Sequence, residues 1–108
     1  MEKKDVYQRE YAKLTEIFAD VDPSKAKLVE GLIADAACLA SENHVLRSVI
    51  DKTGTVQINP ANPLQQRPVE AAKQYLKNLN LYAVVIKTLN GVLSKNVLEL
   101  DDDMSEFE

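Results

Sequence analysis

The sequence predicts an all-α fold of three helices, two of them long and antiparallel (about 23–51 and 68–95) and a shorter one ahead of them. Three observations carry that expectation. Apolar residues recur at alternating spacings of three and four through each of these segments, the period of a helix with one buried face. The 108 residues contain only three glycines and four prolines, too few for a turn-rich β fold. The breakers also cluster, at Asp20–Pro23 and across Gly54–Pro68, which divides the chain into three helical stretches.

The first helix is expected over 4–19. Tyr7, Tyr11, Leu14 and Phe18 form one stripe, with Ile17 beside it. Asp20-Val21-Asp22-Pro23 ends it. Pro23 suits the first position of the next helix, and the Asp22 carboxylate ahead of it suits the free backbone N–H groups there. The second helix, 23–51, is near 40 Å long at about 1.5 Å per residue. Leu28, Leu32, Leu39, Leu46 and Val49 mark its seam, widened by Val29, Ile33, Ala36 and Ala40. Asp35 and Glu42 interrupt it, and the alanines at 34, 36, 37 and 40 admit a close helical neighbour.

Gly54 follows the expected helix end, where a left-handed residue often closes a helix. Thr55-Val56-Gln57-Ile58 alternates briefly, as a short extended strand would. Prolines at 60, 63 and 68 then remove donors and bias their predecessors away from helix. The segment 52–66 therefore reads as an ordered, irregular, Pro-rich connection. Pro68 suits the first turn of the third helix, 68–95. Val69, Ala72, Leu76, Leu79, Ala83, Ile86 and Leu93 repeat along it, and Ala83-Val84-Val85-Ile86 is apolar all round. Two helices of similar length on a short connection pack antiparallel, with the first helix covering one side. Residues 1–96 are expected to form one helical oligomerisation or binding domain, with its seam on Leu28, Leu32, Leu39, Leu46, Leu76, Leu79, Ile86 and Leu93.

The apolar fraction is 45% and the charged fraction 28%, ordinary for a globular domain. No apolar run follows the charged N-terminus, so no signal peptide is expected, and no stretch approaches the roughly 18 apolar residues of a membrane span. The single cysteine, Cys38, has no internal partner for a disulfide, and a cytoplasmic location is expected. The formal charge of −4 is unevenly spread. Residues 97–108 hold Glu99, Asp101, Asp102, Asp103, Glu106 and Glu108 with no basic residue. This acidic tail is expected to be flexible in isolation.

No catalytic constellation is expected. His44 is the only histidine, so neither a His/Cys metal site nor a Ser-His-Asp triad can be assembled. Cys38 and His44 lie six residues apart on one helix, on different faces, so Cys38 reads as a small core residue and His44 as a surface or interface group. Gly31, Gly54 and Gly91 are isolated, so no phosphate-cradling loop exists. Three consecutive aspartates on a tail read as a solvated charge run; a hard-cation site needs ligands converging from a fixed loop. Neither metal nor cofactor is expected.

Two sets of residues have an interaction reading beside a bland one. Lys3, Lys4, Arg9, Lys13, Lys25 and Lys27 all lie in the first quarter of the chain. They form either a solvated surface interspersed with Glu10, Glu16 and Glu30, or a weak, salt-dependent phosphate-binding patch strengthened by repetition in an oligomer. The tail is either a solubilising C-terminus or a short linear motif anchored by Leu98, Leu100, Met104 and Phe107 that orders on a partner.

Gly54-Thr55-Val56-Gln57-Ile58-Asn59-Pro60 followed by Val69-Glu70-Ala71-Ala72-Lys73-Gln74-Tyr75-Leu76, after a Tyr-containing first helix, resembles the bacteriophage terminase small subunit family over roughly residues 5–95. The resemblance implies a non-catalytic DNA-packaging role. It implies self-assembly through 24–51 and 68–95, DNA approached by the N-terminal basic residues, and a large ATPase–nuclease subunit as partner, engaged through the acidic tail. The other expectation is a helical protein–protein adaptor with no nucleic-acid role.

Overall fold

The computed structural model describes the backbone of residues 1–105 and the side chains of residues 1–94. Helix α1 spans Lys3–Ile17, α2 Ala26–Thr53 and α3 Glu70–Ser105, with a two-stranded hairpin, β1 Val56–Asn59 and β2 Asn62–Pro68, between α2 and α3. The helix-dominated fold matches the expectation.

The α1 stripe packs as its spacing predicts. Leu14 and Phe18 are buried, Tyr7 and Tyr11 half-buried, and the two tyrosine rings stack with centroids 6.0 Å apart. Asp22 accepts from the Ser24 N–H at 3.0 Å and from the Ser24 hydroxyl at 3.0 Å. Those donations, the backbone one first, hold its carboxyl below the usual range. The turn it caps is a 3₁₀ turn, Pro23–Lys25, so α2 starts at Ala26, three residues later than the proline suggests. At the other end the Gly54 N–H bonds to the Ile50 carbonyl at 2.7 Å, and Gly54 adopts φ +76°, which an L side chain resists.

The connection expected to be irregular is instead an antiparallel hairpin. Val56 pairs with Pro68, Gln57 with Arg67 and Ile58 with Gln66. The register then jumps to Asn59 with Asn62, so Pro63, Leu64 and Gln65 bulge out of the ladder. Pro60-Ala61 makes the turn, and the Asn59 side chain stabilises it by accepting from the Ala61 N–H at 3.0 Å and donating to Gln65 Oε1 at 2.7 Å. Prolines sit comfortably in β2 because a two-stranded sheet is all edge. Pro68 ends the strand and does not open α3. Val69 bridges the two, donating to the Thr55 carbonyl at 3.1 Å and accepting from Ala72 and Lys73.

Helix α2 is the middle element, packed on α1 along one flank and on α3 along another. The core joins Leu14 and Phe18 of α1, Val29, Ile33 and Ala36 of α2 and Leu89 of α3. Tyr82 of α3 reaches α1, donating to Glu10 Oε1 at 2.5 Å. Burial and that bond push the Tyr82 phenol up to about 12.

Several seam residues do not form the core. The buried line of α2 runs through Val29, Ile33, Ala36 and Ala37. Leu32, Leu39 and Leu46 flank it half-buried, and Leu28 is 58% exposed. The alanines win the centre because they let helices approach closely. On α3, Ile86 and Leu93 pack against the core, whereas Leu76 is 62% exposed and Leu79 is also exposed. Cys38, expected in the core, is exposed too. His44 is half-buried, with Nε2 2.8 Å from the Met1 carbonyl.

The third helix runs ten residues past its expected end, to Ser105, because nothing after Gly91 breaks it. A backbone helix thus replaces the flexible tail through residue 105. The side chains of Leu98, Leu100 and Met104, and Phe107 altogether, lie outside the described residues.

Candidate interaction surface

Three elements meet at one end of the molecule: the last turns of α2, the base of the hairpin and the first turns of α3. They enclose a groove of about 490 Å³ lined chiefly by apolar atoms. Ile50 comes from α2, Val56 and Pro68 from the two strands, and Ala72, Tyr75 and Leu76 from α3. Arg47, Asp51 and Lys73 also line it. The hairpin folds here because Gly54 turns the chain out of α2 and Val69 fastens its base to Thr55. Beyond that base it projects without cover. Every residue from Val56 to Pro68 is exposed, including Leu64 at 92%.

The same end carries the positive charge. Residues 45–80 contain Arg47, Lys52, Arg67, Lys73 and Lys77 against Asp51 and Glu70. Residues 1–44 contain nine acidic against six basic residues. Lys73 pairs with Glu70 at 3.3 Å, both side chains well exposed, an ion pair worth at most about 1 kcal/mol.

The six N-terminal basic residues are not gathered. In the α1–α2 hairpin, Lys3 lies beside Glu42, with which it pairs, whereas Lys25 and Lys27 lie at the start of α2. About 15 residues of helix, roughly 22 Å at the standard rise, separate Glu42 from that start. Lys13 is paired with Glu10 at 2.8 Å, and Arg9 Nη1 lies 3.7 Å from Met1 Sδ. Lys4 and Lys27 are exposed, and Lys25 is half-buried. The Tyr82–Glu10–Lys13 arrangement fastens α1 to α3 and reads as architecture.

The sequence does not advertise the hairpin end as a charged surface because its five basic residues are spread over thirty-one positions. Counting charge by structural end, rather than by quarter of the chain, brings it out. No family model matches the chain, and neither a curated protein nor a solved structure matches it. Among the described residues, no helix is long and apolar enough to cross a membrane.

Proposed function

We propose that this chain is a non-catalytic small subunit of a phage DNA-packaging terminase, acting in the host cytoplasm. It assembles with copies of itself, meets duplex DNA and regulates a large ATPase–nuclease partner. The observation that carries this reading is the hairpin end. There the Gly54–Pro60 segment that resembles the terminase small subunits raises an exposed arm, and basic residues outnumber acidic ones.

Phosphate binding draws on uncompensated Lys and Arg, and the counterions it releases make affinity fall with salt. On charge grounds the DNA-facing residues are therefore Lys52, Arg67 and Lys77, ahead of the N-terminal set. One copy offers little to a duplex. Repetition of the end around an oligomer multiplies its hold through avidity.

The test is a duplex-DNA shift between about 50 and 200 mM salt, with light-scattering mass measured alongside. A defined oligomer and a salt-sensitive shift are expected. Replacing Lys52, Arg67 and Lys77 by Ala should flatten the plot of log affinity against log salt by about 0.9 for each phosphate no longer neutralised. Replacing Lys3, Lys4 and Arg9 should change it less. A one-chain mass at micromolar concentration, or equal effects from both ends, refutes the reading. The adaptor reading draws on the net charge of −4, and is favoured if no shift occurs even at low salt.

A further inference from the structure

The groove at the hairpin end is greasy, uncovered and edged with positive charge. The chain also holds a segment of the opposite kind. In residues 97–108, Val97, Leu100, Met104 and Phe107 follow one another at spacings of three, four and three. That is the anchor pattern of an amphipathic helix laid into a groove. The positions between them hold Glu99, Asp101, Asp102, Asp103 and Glu106, together with Leu98 and Ser105. Leu76 and Ile50 offer apolar surface for such anchors, and Arg47 and Lys73, the latter also paired with Glu70 at the surface, offer positive charge, with Asp51 the only acidic residue lining the groove among the described residues.

A chain's own segment cannot reach its own groove. The groove uses the first two turns of α3, and Leu76 and Leu100 belong to the same continuous helix, Glu70–Ser105. Twenty-four residues of helix hold them roughly 36 Å apart.

We propose that this groove receives the acidic C-terminal segment of a second copy of the chain. The arrangement is head-to-tail: each copy gives its tail to one neighbour and takes the tail of another. A heterologous interface of this kind closes into a ring when the rotation between copies permits, and otherwise runs on as an open filament. The proposal rests on the self-assembly in the proposed function and specifies which surfaces make it.

Charge exchange in the full-length chain tests it. One variant reverses the groove (Arg47→Glu with Lys73→Glu) and the other reverses the tail (Asp101→Lys, Asp102→Lys and Asp103→Lys). Circular dichroism verifies the helices in each. Each variant alone should associate at least about tenfold more weakly than the parent, the equivalent of about 1.4 kcal/mol. An equimolar mixture should recover the parent mass, because each altered groove then meets a complementary tail. Should a reversal cost helicity, Arg47→Gln with Lys73→Gln, and Met104→Lys, replace it, and each should lower the mass. Variants that keep the parent mass, or a mixture that recovers nothing, overturn the docking of tail in groove. A parent that is already a single chain overturns self-assembly itself, and with it the proposed function.

Discussion

Leu89 is the largest fully buried side chain among the described residues, at 0% exposure, where α1, α2 and α3 share a core. Leu89→Ala removes three carbons from that site. At about 0.8 kcal/mol per buried carbon the transfer loss is about 2.4 kcal/mol, and the cavity left behind raises it to about 3 kcal/mol. With an unfolding entropy of about 2.1 cal/mol/K per residue over 108 residues, that corresponds to a fall in Tm of about 13 °C. Leu76→Ala removes the same atoms from a side chain already 62% exposed, so within one chain it should cost less than about 1 kcal/mol. Denaturant melts at two protein concentrations separate the two roles. The Leu89→Ala loss should be the same at both concentrations. The Leu76→Ala loss should grow with concentration if copies meet there, because association stabilises by mass action. Equal losses from the two substitutions at high dilution, or a Leu89→Ala cost under about 1 kcal/mol, would refute this account of the core.

Tyr82→Phe should cost about 1 to 2 kcal/mol at neutral pH, by removing the only hydroxyl that ties α3 to Glu10 among the described residues. The phenol is raised from its ordinary 10.0 to about 12 in the folded chain, so its contribution is complete below pH 10 and is lost as pH rises toward 12. The gap in denaturant midpoint between parent and Tyr82→Phe should therefore narrow over that interval; a gap that widens has the wrong sign. Cys38 should react with a maleimide in native buffer about as fast as in denaturant, since the thiol is exposed on α2. Protection relieved only by unfolding would return it to the core.

Helix α1 is legible residue by residue because it packs chiefly on α2, with α3 reaching it through Tyr82 and the shared core. One face is buried, so Tyr7, Tyr11, Leu14 and Phe18 stand out at helical spacing. Helix α2 touches α1 and α3 on different flanks, and its apolar arc is correspondingly wide. Hydrophobicity alone then favours the leucines at 28, 32, 39 and 46, whereas close approach favours Ala36 and Ala37. Only the positions of both neighbours decide between those criteria. The hairpin is half legible: Val56 and Ile58 alternate, but β2 reads Asn-Pro-Leu-Gln-Gln-Arg-Pro, with no buried face to impose alternation. A sheet with both edges in solvent asks little of its sequence beyond a turn, and Asn59-Pro60 supplies one. The end of α3 is hidden in the sequence because a run of acidic residues looks like a solvated tail, although such residues break no helix and only charge its surface. On the candidate site, the exposed Gly54–Pro60 arm can be read from its turn residues and the Glu10–Lys13 pair from its spacing of three, but the pairing of Lys3 with Glu42 cannot, since it depends on how α1 lies against α2.

The shape of the chain explains why so many leucines and valines remain outside the core. Its radius of gyration is 19.6 Å, and it measures 72 × 33 × 15 Å. A compact domain of 108 residues would have a radius near 13 Å. So thin a molecule has little interior. It leaves Leu28, Leu76, Leu79 and Val84 in contact with water, and the Asn43 side-chain oxygen is buried with no hydrogen-bond partner among the described residues. Each is a cost that a compact monomer would have folded away, the buried oxygen alone about 1 to 3 kcal/mol. Lengthening the helices makes this worse, since the exposed flanks grow while the shared core stays at one level around Leu89. A chain of this shape gains stability by covering those flanks with protein from outside itself. In the proposed assembly, the copies that cover those flanks would also repeat the hairpin end, and association and DNA binding would be one linked equilibrium.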